Sequence, residues 1–213
     1  MEDNMNTGFF ITFEGPDGAG KTSVLKAVAE ALQAQQKDVL TTREPGGIEI
    51  AESIREIILN PNNTAMDNRT EALLFAAARS QHFFEKVEPA LLLGKTVLCD
   101  RFIDSSLVYQ GIARGLGVDE VLAINEFAIG KRMPDATLLF DLPAEVGLTR
   151  IQATRQDEVN RLDAESLAFH EQVRNGYLKI ASLNPERIHI INANQKLQQV
   201  VEETLSVLDN LLK

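Results

Sequence analysis

Apolar and polar residues alternate along the chain in blocks that read as strand, helix, strand. Phe9 to Phe13 is an apolar run of strand length. Val24, Leu25, Val28, Ala29 and Leu32 then recur at helical spacing. Asp38 to Thr42 predicts a second strand, broken by Arg43-Glu44-Pro45-Gly46-Gly47, and residues 49–59 predict a helix ending before Asn60-Pro61. A long helical pattern over about 69–93 counts Leu73, Leu74, Ala77, Ala78 and His82 among its members, with Gly94 as C-cap. Thr96 to Cys99 reads as a third strand. Helices are expected over 103–110 and 118–130, then a strand over Ala136 to Leu142 and a helix near 144–152. A polar stretch over 153–163 precedes a helix at 164–182, a strand at Arg187 to Ile191 and a last amphipathic helix at 196–212.

Strands alternating with helices predict an α/β fold: a five-stranded parallel sheet covered on both faces, three layers in all. No repeat, low-complexity tract or linker interrupts residues 1–213, which are expected to form one domain. With 21 Lys and Arg against 31 Asp and Glu, the net charge is −10, which speaks against nucleic acid or an anionic membrane surface as partner. Cys99, the only cysteine, lies in an apolar run and reads as a buried structural thiol. The acidic start Met1-Glu2-Asp3-Asn4 lacks a signal pattern, and no apolar run reaches membrane-span length. A cytoplasmic location is expected.

Between the first strand and first helix stands Gly15-Pro16-Asp17-Gly18-Ala19-Gly20-Lys21-Thr22, matching G-x-x-x-x-G-K-[ST]. Glycines let backbone amides close around a phosphate, and the helix N-terminus favours the anion. Lys21 is expected on the β- and γ-phosphates of a bound nucleotide and the Thr22 hydroxyl on Mg²⁺. Asp17 within the loop suits a sugar hydroxyl or the metal, since an idle carboxylate would repel a triphosphate. Asp100-Arg101 closes the third strand, where such folds hold Mg²⁺ on the acid and grip phosphate with the arginine. Ligands in parallel sheets sit beyond the strand C-termini, so Arg43-Glu44, Asp100-Arg101 and the glycine loop should share one crevice. Arg150, Arg155, Arg161 and Asp163 gather around the polar stretch, either on a closing lid or on a solvated surface. Phe75 and Arg79 share a helix face, either to read a base or as core and rim.

The chain resembles the bacterial thymidylate kinase family throughout its length. The resemblance rests on Phe13-Glu14-Gly15 through Thr22, Thr42-Arg43-Glu44-Pro45-Gly46-Gly47, Asp100-Arg101-Phe102 with Asp104-Ser105-Ser106, Tyr109-Gln110-Gly111 and Arg161-Leu162-Asp163. It implies a phosphate-loop kinase fold with a short lid over about 153–163, and transfer of a phosphoryl group from ATP-Mg²⁺ to dTMP, supplying dTTP synthesis. By the same resemblance Phe75 stacks on thymine, Arg79 donates to its O4, and Ser106 and Gln110 meet the base edge. Tyr109 lies under the sugar and Asp17 takes the 3′-hydroxyl near the metal. Arg43, Arg55 and Arg101 line the acceptor side. The loop lacks an arginine at its variable positions, so Arg155 and Arg161 are the expected catalytic arginines, with Arg150 at the lid's base. Adenine is expected near Ala193-Asn194, and the family is usually homodimeric. A kinase for another nucleoside monophosphate and a non-catalytic nucleotide switch are the competing readings; the guanine signature N-K-x-D is absent after the fourth strand.

Overall fold

The computed structural model describes residues 8–154, 161–162 and 165–212, with Thr154 described as backbone only. Strand β1 (Phe10–Glu14) leads through the glycine loop into α1 (Lys21–Ala34), and β2 (Val39–Arg43) into α2 (Glu49–Leu59). Helix α3 (Asn68–His82) starts on Asp67, whose side chain accepts from the Arg69 amide. It runs on through a wide π-helical turn, Phe83–Val87, into α4 (Glu88–Leu92). Then follow β3 (Thr96–Asp100), α5 (Ile103–Ser106) continued by a second π-helical stretch (Leu107–Ala113), and α6 (Val118–Ile129). The chain closes with β4 (Ala136–Asp141), α7 (Ala144–Thr154), α8 (Leu167–Leu183), β5 (Ile188–Asn192) and α9 (Leu197–Leu211).

The strands form one parallel sheet in the order β2-β3-β1-β4-β5. Side chains alternate between its faces. Phe10, Val97, Cys99 and Leu139 enter the core under α3, α6 and α8, while Ile11, Phe13, Leu98, Leu138 and Phe140 enter the core with residues of α1 and α9. Phe13 and Phe140 stack with ring centroids 5.5 Å apart. Cys99 is fully buried and packs as the sequence predicts. Among the described residues no helix is long and apolar enough to cross a membrane.

Two expectations need correction. The face that α3 buries carries Ala72, Ala76, Ala78, Arg79 and His82, whereas Leu73 and Ala77, two members of the helical pattern, are exposed. The helix buries polar side chains because they face the cleft described below. Nor is the helix over 69–93 uniform. Pro89 has no N–H to return to the carbonyl four residues back, and the helix widens just ahead of it.

Register places the chemistry. Arg43 pairs with Asp100, and Asp100 with Phe13, so the residues following these three leave the sheet in one row. The Glu44 amide is tied back to the Asp100 carbonyl at 2.9 Å and the Arg101 amide to the Phe13 carbonyl at 3.0 Å. Below the row, Asp104 takes both ends of the Arg187 guanidinium at 2.7 Å and the Thr137 hydroxyl at 3.0 Å, bracing α5 against β4 and the start of β5.

Phe140→Ala should cost about 3–5 kcal/mol by opening a cavity against Phe13. Urea unfolding of the full chain measures it, and a loss below about 1 kcal/mol would mean the sheet face repacks freely.

Candidate active site

The row of strand ends opens into a cleft of about 610 Å³. Its lining includes the glycine loop from Asp17 to Thr22, Arg43, Arg55, Phe75, Arg79, Asp100, Arg101, Ser106, Tyr109, Gln110 and Arg150. Nearly every expected site residue therefore meets in one concavity.

At the glycine loop, Gly18 has φ +77°, and a Cβ there would come 2.4 Å from the Gly147 carbonyl oxygen. Only glycine lets the loop lie this close to α7. Lys21 is buried and donates to the carbonyls of Gly15 (2.9 Å) and Pro16 (2.8 Å). Burial, then the nearby Arg101 guanidinium, lowers its pKa to about 8 against the pull of Asp17 and Asp100. The Thr22 hydroxyl donates to Asp100 at 2.5 Å. This hydroxyl and carboxylate are hard oxygen donors that fit Mg²⁺, an ion that usually takes one or two protein oxygens and fills its shell from phosphates and water. Asp17, expected near the metal, has one oxygen on Arg101 Nη2 (2.5 Å) and the other on the Tyr109 hydroxyl (2.6 Å). Burial alone would raise its pKa, but Arg101, Lys21 and the Tyr109 hydroxyl hold it well below the usual carboxylate range.

Arg101 sits at φ +70°, a left-handed conformation costing about 1–2 kcal/mol in a non-glycine residue. Its guanidinium is fixed by Asp17, the Gly15 carbonyl (3.1 Å), Ser105 Oγ (3.0 Å) and the Tyr177 hydroxyl (3.2 Å). Beneath it, Glu14 accepts from the Phe102 amide, the Ser105 amide and hydroxyl, and the Tyr177 hydroxyl. Burial and the Asp104 carboxylate push the Glu14 pKa up to about 7.

On α3, Glu71, Phe75 and Arg79 stand four residues apart in one stripe. Arg79 is 2% exposed. Its Nε donates to Glu44 (2.7 Å), Nη1 to Ser106 (2.9 Å) and Asn125, and Nη2 to the Phe102 carbonyl (2.9 Å). Four of its five N–H groups are thus engaged among the described residues, and one Nη2 hydrogen remains. The second Glu44 oxygen receives His82 at 2.9 Å, and His82 meets the Thr42 hydroxyl at 2.6 Å. Arg43 and Arg55 both donate to the Pro45 carbonyl, and Arg43 pairs with Glu52 at 2.8 Å. Arg150 bridges the carbonyls of Gly18 and Ala193, joining the glycine loop to the turn after β5.

Arg161 departs from expectation. Its backbone amide and Nε donate to the Leu59 and Ile58 carbonyls at the end of α2, and its Nη2 to Glu71. Those carbonyls are the unpaired ones a helix C-terminus leaves, so a cation there is stabilised. The Arg161 guanidinium does not line the cleft, although its neighbour Leu162 does. Arg155 and Asp163 lie outside the described residues.

Sequence reading missed a set of buried partners. Glu71 could have been found, since it is four residues before Phe75 on the same face. Glu14 and Glu44 sit at strand ends beside the named motifs. Asn125 carries no local signal: a lone amide on α6 is legible only once α3 and α6 pack together.

Strand, glycine loop, helix and a carboxylate-arginine pair on the neighbouring strand define a phosphate-loop nucleotide kinase. The comparisons narrow this. The thymidylate kinase family profile matches residues 13–204. Thymidylate kinase of Bacillus velezensis is 59% identical over 207 residues, 97% of this chain and 98% of that one. That of Clostridium novyi is 57% identical over 93% of this chain and 97% of its own. The crystal structure of thymidylate kinase from Ehrlichia chaffeensis superposes with TM-score 0.79 at 33% identity, covering 95% of this chain and 99% of that one. The chain belongs to the thymidylate kinase family.

A lysine grips phosphate only when charged, so with Lys21 in that role ATP affinity should fall as pH rises through about 8. Bound phosphates hold the proton on, so the loss approaches tenfold per pH unit above that point. Calorimetric titration with Mg²⁺-ATP between pH 7 and 9.5 should show the slope, and Lys21→Met should flatten it.

Proposed function

We propose that this enzyme transfers the γ-phosphoryl group of ATP to the 5′-phosphate of dTMP, giving dTDP and ADP. An acceptor phosphate oxygen bonds to the γ-phosphorus while the bond from that phosphorus to the β,γ-bridging oxygen breaks. The observation that carries the reading is the shared row of strand ends. It sets a phosphate-binding loop beside Arg101 and, across one cleft, the aromatic and polar groups of a nucleoside pocket. Similarity to thymidylate kinases at 56–59% identity supplies the nucleotide.

In this reading the loop amides of 15–22 and Lys21 cradle the ATP phosphates, with Lys21 exchanging its two carbonyls for phosphate oxygens. Thr22 and Asp100 would hold Mg²⁺, which when bound neutralises charge on the β- and γ-phosphates. Arg150 supports the adenine side near Ala193. Arg101, with Arg43 and Arg55 nearby, clamps the acceptor phosphate, and Tyr109 and Asp17 meet the sugar. Phe75 stacks on the base, while Arg79, Ser106 and Gln110 read its edge. The acceptor is already anionic, so positioning and charge neutralisation suffice without a strong base. Arg155 is the arginine we assign to the moving group. Arg161 reaches that group only by leaving Glu71.

We also assign a homodimer in the cytoplasm, where its donor ATP is available. Leu73 (56% exposed), Phe84 (46%) and Phe127 (92%) support the dimer by presenting apolar surface on α3, its π-helical turn and α6. Phe84 lies 3.7 Å from where a Gly130 side chain would start, which brings it up to the end of the helix that carries Phe127. Sedimentation should give twice the chain mass, and Phe127→Asp the mass of one chain.

A coupled ADP-release assay tests the reaction: ADP should appear at speed only when dTMP is added. Lys21→Ala should lower kcat by about 10²–10³-fold with little change in KM for dTMP. Wild-type turnover in that variant at saturating ATP would remove Lys21 from the mechanism.

A further inference from the structure

The Gln110 side chain lines the cleft, and its Nε2 donates to Glu71 Oε1 at 2.9 Å. Both residues are 1% exposed. Side-chain amides can face either way, and their partners decide which. Here the partner is one-sided. Arg114 Nε approaches the same Glu71 oxygen at 3.4 Å, and Arg161 Nη2 occupies the other. A carboxylate between two guanidinium groups accepts and does not donate. The amide nitrogen must therefore face Glu71, which leaves Gln110 Oε1 with no hydrogen-bond donor among the described residues. Turning the amide over would set two oxygens against each other in a buried place, at a cost well above that of a lost hydrogen bond.

Arg79 lines the same cleft and keeps one N–H uncommitted among the described residues. The cleft thus offers both a donor and an acceptor. A thymine or uracil edge presents the complement, with O4 accepting and N3–H donating. Cytosine presents the reverse, an amino group and a bare N3, so both contacts would clash.

We propose that Glu71 is a positioning residue that sets the polarity of the Gln110 amide, and through it the preference for a 4-oxo over a 4-amino pyrimidine monophosphate. The inference rests on the reading of this cleft as the dTMP site. Glu71 touches no substrate in this scheme. It acts by removing one of the two orientations Gln110 could adopt.

The test is Glu71→Gln in the full-length enzyme, with kcat/KM measured for dTMP and dCMP. A neutral amide can both donate and accept, so Gln110 is released to turn. The dTMP to dCMP ratio should fall at least about tenfold, the worth of one buried hydrogen bond reversed. A ratio within about twofold of wild type, even if both rates drop, is what a merely structural ion pair would give and overturns the proposal. Arg114→Gln removes a cation from Glu71 and spares the Gln110 contact, so its ratio should stay at the wild-type value. An equal fall there would assign the effect to charge and not to amide polarity. Should Glu71→Gln fail to fold, the Gln110 side-chain amide resonances of wild type serve in its place. The amide hydrogens behind them should exchange slowly with and without dTMP, held on Glu71, and exchange as fast as that of a solvent-exposed amide would sink the idea. Wild-type turnover of dTMP tests the kinase reading separately, so the two can fail independently.

Discussion

Arg79 and Arg101, in the floor of this cleft, are each held by a neighbouring carboxylate. Removing an ion from water costs several kcal/mol, and the cleft gathers Lys21, Arg79 and Arg101 within one concavity. Without partners they would repel one another and draw water in. Asp17 holds Arg101, Glu44 holds Arg79, and Asp17 and Asp100 draw on Lys21. Asp104 and Arg187 repeat the device one layer below. The acidic balance of the whole chain is thus no bar to phosphate binding. Part of it is spent inside, holding the cations of the cleft in place.

That compensation works only because the sheet delivers the charges in register. Parallel pairing aligns Arg43, Asp100 and Phe13, so a single row carries the residues that follow them. The positive φ of Arg101 is a local strain sustained by four partners, and it turns the guanidinium back toward the glycine loop instead of along the strand. Helix α3 closes the other wall with its Glu71, Phe75 and Arg79 stripe. The glycine-loop wall and the α3 wall of the cleft are therefore built by different elements that meet at one end of the sheet.

Much of this was legible in the residues. Apolar runs set the five strands to within a residue or two, because strands buried on both faces need continuous hydrophobicity. Glycine chemistry set the phosphate loop. What escaped was decided by tertiary packing. Helical periodicity cannot say which stripe of α3 faces inward: Leu73 is exposed, and the inward stripe is partly charged. The π-helical turn at 83–87 has a local cause only in hindsight, at Pro89. Glu71 and Asn125 acquire meaning from residues 35 or more positions away, Gln110, Arg114 and Arg161 in one case and Arg79 in the other. Arg161 was singled out as a candidate catalytic arginine, and its docking on the end of α2 was not legible.

The Arg79 cluster has a consequence for ligand design. Glu44, Ser106, Asn125 and the Phe102 carbonyl immobilise the guanidinium before any ligand arrives. A compound entering here need not freeze a floppy side chain, so association loses little entropy on the protein's side. Stiff, flat scaffolds presenting a single well-aimed oxygen to it should therefore gain more than flexible ones, since among the described residues Arg79 has one N–H left to give.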